Sequence, residues 1–121
     1  MSKKRIMLID DESGFTNILR LSLPGYDVLA ENNPLRAVEA ARKFKPDLIF
    51  LDVIMPEIDG GTIAAQLKDD PLLKDVPVVF LTAIVSKKEA TSKPDIGGYP
   101  FLAKPVSRDQ IVECINQHLG A

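Results

Sequence analysis

Residues 48–52 read Leu-Ile-Phe-Leu-Asp, four apolar side chains in a row closed by a carboxylate. A run this short, with no polar alternation, is the pattern of a strand covered on both faces, as in a parallel sheet. Three other stretches repeat it with a different polar stop. Ile6-Met7-Leu8-Ile9 runs into Asp10-Asp11, Val78-Val79-Phe80-Leu81 into Thr82, and Phe101-Leu102-Ala103 into Lys104-Pro105. If the four runs are neighbouring parallel strands, their C-terminal ends lie side by side. Three carboxylates, a hydroxyl and an ammonium then converge although the chain separates them widely.

The stretches between the runs have helical spacing. After Asp11, residues Phe15, Ile18 and Leu19 are expected on one helix face, stopped by Pro24-Gly25. Tyr26–Ala30 reads as a second, more polar strand. Asn33-Pro34 opens a helix, with a cap oxygen followed by a proline suited to the first helical position. Val38, Ala41 and Phe44 are its inward residues. Asp59-Gly60-Gly61 begins a third helix carrying Ile63 and Leu67. Ser107 with Gln110 forms a capping-box pattern ahead of the stripe Ile111, Val112, Ile115, Leu119. The fourth helix is the weak one. Ser86 and Glu89 suit its start, but only Ala90 follows as an apolar residue before Pro94, and Pro94 to Pro100 reads as an irregular loop.

Strand and helix thus alternate five times, and right-handed crossovers turn such a chain into a doubly wound α/β sandwich. The expected fold is flavodoxin-like (βα)5, with a parallel five-stranded sheet of order 2-1-3-4-5 and a short or irregular fourth helix. Ligands bind such sheets at the carboxyl ends of the strands, where the strand order reverses. Strands one and three flank that point and carry Asp10, Asp11 and Asp52.

Composition narrows the function. At 121 residues the chain is read as a single domain, 1–121. A formal net charge of -2 gives no reason to expect nucleic acid, which usually needs a basic face. The apolar run after Lys3-Lys4-Arg5 is far too short for a signal-peptide core or a membrane span. One cysteine, Cys114, excludes an internal disulfide and a zinc site built on several thiolates. The expected setting is cytoplasmic. Cys114 reads as a half-buried helix residue without a redox role, and His118 as a residue compatible with the dipole of a helix's last turn.

Three clustered carboxylates repel one another, so either some stay protonated or a cation neutralises them. A hard divalent ion with oxygen ligands suits them, and magnesium commonly uses one or two carboxylates plus waters and a phosphate. Lys104 can offset further charge on a phosphoryl group, and Thr82 can donate a hydrogen bond to one of its oxygens. Phosphoryl transfer needs mainly positioning and charge stabilisation, leaving Asp52 available as the attacking oxygen.

The blocks IMLIDDE (6–12), LIFLDVIMPEIDG (48–60), VVFLTA (78–83) and FLAKPV (101–106) together resemble the receiver domains of two-component response regulators, in order and in spacing. The resemblance covers essentially the whole chain. It implies a phosphorylation-dependent signalling module in which Asp52 accepts a phosphoryl group from a histidine kinase or histidine phosphotransfer protein. It implies Mg2+ held by Asp11 and Asp52 with the backbone carbonyl of Ile54, and Asp10 acting largely through water. Thr82 and Lys104 would contact the phosphoryl group, Lys104-Pro105 would be cis, and Phe101 would be the switch aromatic. Such a module is no enzyme beyond transfer to its own Asp52 and hydrolysis there; it addresses an unknown output protein, with no role for nucleic acid or membrane. Two other readings are an unphosphorylated receiver-like interaction domain and an aspartyl-phosphate phosphatase, the latter disfavoured because Ile54 stands where a second acid is wanted. Ile54 and Ile84, two residues after Asp52 and Thr82, are bulky and apolar. They are expected to flank the path of attacking water and to slow loss of the phosphoryl group.

Overall fold

The computed structural model describes residues 3–53, 55, 58–83, 95–96 and 99–120. Strands β1 (Arg5–Ile9), β2 (Asp27–Glu31), β3 (Leu48–Asp52), β4 (Val78–Thr82), β5 (Asp95–Ile96) and β6 (Tyr99–Ala103) alternate with helices α1 (Ser13–Leu21), α2 (Ala37–Phe44), α3 (Gly60–Asp69) and α4 (Arg108–Leu119). The sheet order is β2-β1-β3-β4-β6-β5. The pairs β1–β2, β1–β3, β3–β4 and β4–β6 are all parallel. The five long strands therefore run in the expected flavodoxin-like order, with β6 as the fifth.

Every residue of β3 and β4 is buried, because alternate side chains enter two separate cores. On one face Met7, Ile9, Ile49, Leu51 and Phe80 pack with Ala37 and Ala41 of α2 and Ile63, Ala64 and Leu67 of α3. On the other, Ile6, Leu8, Phe50, Val79 and Leu81 meet Leu19 of α1 and Ile111, Cys114 and Ile115 of α4. This double covering is why the central runs are apolar without a break. The edge strand β2 is only part-buried, which explains its polar composition.

Helix starts follow their caps. Asn33 accepts a hydrogen bond from the Leu35 N–H at the head of a short 3-10 turn, Pro34–Arg36, that leads into α2. Asp59 accepts from the Thr62 N–H, and both halves of the Ser107–Gln110 capping box are formed.

Three details differ from the sequence-based expectation. Ile18 is 72% exposed, and the inward side of α1 is formed by Thr16 and Leu19 with Phe15 part-buried. Asp95 and Ile96 pair antiparallel with Pro100 and Tyr99, so the stretch expected as an irregular loop contains a short two-stranded ladder. Cys114 is buried, at 5% exposure, rather than half-buried. The weak helix expected from Ser86, and both Ile54 and Ile84, lie outside the described residues.

Candidate phosphoryl and metal site

The four strand ends lie along one edge of the sheet, with β1 and β3 flanking the point where strand order reverses. β1 delivers Asp10 and Asp11 one and two residues past its last paired position, Asp52 is the final residue of β3, and Thr82 is the final residue of β4. Register links β3, β4 and β6 at this edge: Asp52 is opposite Leu81, and Thr82 is opposite Ala103. The Lys104 N–H donates to the Thr82 carbonyl at 2.8 Å, and the Lys104-Pro105 peptide is cis.

Asp10, Asp11 and Asp52 each offer a carboxylate oxygen within 4.8 Å of the others. Asp10 and Asp52 are 1% and 5% exposed, whereas Asp11 opens to solvent. Lys104 lies over them. Its Nζ donates to Asp10 Oδ2 at 2.8 Å and stands 3.4 Å from Glu12 Oε1 and 3.8 Å from Asp52 Oδ2. It also sits 4.6 Å from the centroid of the Phe15 ring. Burial alone would lower the Lys104 pKa. The hydrogen bond and charge of Asp10, then the charges of Asp52 and Glu12, outweigh it and hold the ammonium above its usual range.

The acid pair is braced from behind. Asp10 Oδ1 accepts from the Glu12 N–H at 2.9 Å, fixing the turn into α1. Asn32 donates to the Asp10 carbonyl at 2.8 Å and to Thr16 Oγ1 at 2.9 Å. Below Asp52, the Val53 N–H donates to Leu81 O and the Gly60 N–H donates to Val53 O at 2.8 Å. Thr82 is fully buried.

These residues fit a divalent cation. Three hard oxygen donors against one ammonium leave two negative charges to be neutralised, and the exposed Asp11 leaves a way in. Strand periodicity pointed to Asp10, Asp11, Asp52, Thr82 and Lys104; the four charged side chains converge, and Thr82 ends the strand beside Asp52. It did not reveal Glu12 and Phe15 as neighbours of the Lys104 ammonium, nor Asn32 as a brace. Glu12 and Phe15 join the start of α1 to the end of the last strand, and Asn32 joins the end of β2 to β1 and α1; only the folded topology brings them together.

The model of the response regulator receiver domain matches residues 6–116. The chain belongs to the response regulator receiver domain family. The polar-differentiation response regulator DivK of Brucella anthropi is 31% identical over 119 residues, covering 97% of both chains. The crystal structure of a response regulator from Desulfuromonas acetoxidans superposes with a TM-score of 0.79 at 29% identity, over 94% of each chain. The Vibrio cholerae chemotaxis protein CheY4 shares the fold at TM-score 0.83 and 22% identity, covering 98% of this chain and 100% of its own. This receiver domain is therefore a module of two-component signalling, a class that transmits signals rather than turning over substrates. Among the described residues, no helix of the receiver domain is long and apolar enough to cross a membrane.

Proposed function

We propose that this receiver domain, spanning residues 1–121, takes a phosphoryl group onto Asp52 from a phosphohistidine of a sensor kinase or phosphotransfer protein and presents an altered surface to an output protein. The observation that carries this reading is the placement of Asp52 Oδ2 3.8 Å from Lys104 Nζ, within the cluster formed with Asp10 and Asp11. In the transfer, a carboxylate oxygen of Asp52 forms the new O–P bond as the donor's N–P bond breaks, and the electron pair of that bond stays on the departing imidazole nitrogen. Asp10, Asp11 and Asp52, with the Ile54 carbonyl, would hold Mg2+, which when bound supplies charge neutralisation for the phosphoryl oxygens.

Lys104 offsets charge on the same oxygens, and Thr82 donates a hydrogen bond to one of them. Phe101, part-buried on β6 and opposite Phe80, couples the movement of Thr82 to the outer face of the last strand. Phosphorylation thereby biases a two-state equilibrium. We place the domain in the cytoplasm, where histidine kinases present their phosphohistidine. The bulk of Ile54 and Ile84 supports a long-lived phosphoryl group.

Incubation with acetyl phosphate and Mg2+, followed by intact-mass spectrometry, tests the reading. A single magnesium-dependent phosphoryl adduct, lost in Asp52→Ala, is expected. No adduct on the wild type returns the domain to the unphosphorylated class, and an adduct that persists in Asp52→Ala overturns the assignment to Asp52.

A further inference from the structure

We infer that Phe15 is a positioning residue for the phosphoryl chemistry, acting through the Lys104 ammonium; this rests on the function proposed above. Among the described residues, four groups surround that ammonium: the carboxylates of Asp10, Glu12 and Asp52 and the face of the Phe15 ring. They are not equivalent. Asp10 and Asp52 belong to the cluster that a divalent cation would occupy, and a cation drawn to their oxygens competes directly with the lysine. Glu12 is 65% exposed at its side chain, so water screens its pull. Among the described residues the Phe15 ring is the remaining attraction, and no metal competes for it.

The geometry suits this task. The ring centroid is 4.6 Å from Nζ, inside the range where the negative face of an aromatic ring attracts a cation. The Lys104 side chain is only 13% exposed, which strengthens the attraction by removing water. Phe15 itself is fixed: it packs part-buried against the core formed by α1, α4 and the sheet. It therefore offers an anchor that holds its place whether the acids face lysine or metal. With the ring present, Lys104 remains beside Asp52 when the phosphoryl group arrives. Without it, the ammonium is released toward Glu12 and solvent just as a cation weakens the grip of Asp10.

The side-chain NMR signals of Lys104 read this placement without any phosphoryl transfer. In the metal-free wild type, its ε-methylene protons are expected upfield of those of exposed lysines through the Phe15 ring current, and to stay upfield with saturating Mg2+. Phe15→Leu abolishes that shift and slows adduct formation with acetyl phosphate about threefold to tenfold, whereas Phe15→Tyr restores both. Unshifted Lys104 protons in the wild type overturn the placement and need no variant to fold. A folded Phe15→Leu protein that gains its adduct at the wild-type rate, or a Phe15→Tyr protein as slow as Phe15→Leu, overturns the positioning role. A wild type that gains no adduct at all indicts the proposed function instead, so the two failures are told apart.

Discussion

Gly60 shows how closely single residues fix the site. A Cβ built on it falls 2.8 Å from Val53 Cα and closer still to the carbonyl oxygen of Asp52, both backbone atoms with no freedom to yield. Glycine is required here by close approach, not by an unusual backbone angle. Gly60→Ala is therefore expected to push the end of β3 away from α3, lowering stability by about 1–3 kcal/mol and slowing phosphoryl gain at Asp52. Gly61→Ala is the milder comparison, since its Cβ would meet a single side-chain atom, the capping Asp59 Oδ1 at 3.2 Å, and no backbone. Chemical denaturation and adduct formation measured on both variants check the contrast; equal behaviour of the two argues against it. Cys114 gives a second test at this scale. Burial, then the neighbouring charge of Glu113, pushes its thiol up to about 11. At pH 8 about one molecule in a thousand then carries the thiolate, the reactive form. Iodoacetamide should leave the native protein unlabelled over a period in which the urea-unfolded chain reacts fully. Prompt labelling of the native protein contradicts this environment.

Elements are held to each other by a few polar latches as well as by the two cores. Asp70, buried just after α3, accepts from the Leu72 N–H at 2.9 Å and from the Arg42 guanidinium of α2. The Leu72 hydrogen bond, then Arg42, lowers its pKa below the usual carboxylate value of 3.8, against the opposing effect of burial. A carboxylate with a depressed folded pKa contributes stability that is complete above the unfolded pKa and disappears as pH falls through the folded one. Asp70→Asn should therefore melt below wild type at pH 7, with the gap closing as pH drops from about 4 toward 2. A gap of constant size from pH 7 to pH 2 would rule out the latch. The same scale shows where sequence reading stops. Capping at Asn33, Asp59 and Ser107 was legible because a cap needs only its own next few residues. The face of α1 was misjudged at Ile18, an apolar residue one position outside the buried stripe. The β5–β6 ladder is not legible in the sequence, although Gly97-Gly98 separates its strands, because Pro94 and Pro100 carry the signature of strand breakers.

Across the whole molecule, the strand order was legible because the central strands are buried on both faces and stay uniformly apolar up to the polar residue that ends each. The acidic stops of β1 and β3 then flank the reversal point, and the stops of β4 and β6 follow along the same edge of the sheet. The supports of the site were not legible, since Phe15 and Lys104 are 89 positions apart and meet only through α1 and β6. The site also loads the fold with charge. Asp10 is paired with Lys104, but Asp11 brings a further carboxylate within 4.8 Å of Asp10 and Asp52, so like charges face one another in the metal-free protein. Replacing Asp11 by Asn removes that repulsion and, with it, one of the oxygens that a divalent cation would need. Two opposite effects on stability follow from one substitution. Without metal, Asp11→Asn should be more stable than wild type, by roughly 1 kcal/mol or less because Asp11 is exposed and screened. Mg2+ at about ten times its dissociation constant should stabilise the wild type by about 1.4 kcal/mol and raise its Tm by roughly 5 °C, while leaving Asp11→Asn nearly unmoved. Thermal unfolding of both proteins with and without Mg2+ measures the crossing. An Asp11→Asn protein that melts below metal-free wild type, or that keeps the full magnesium increment, contradicts the view that these three carboxylates form one charged site.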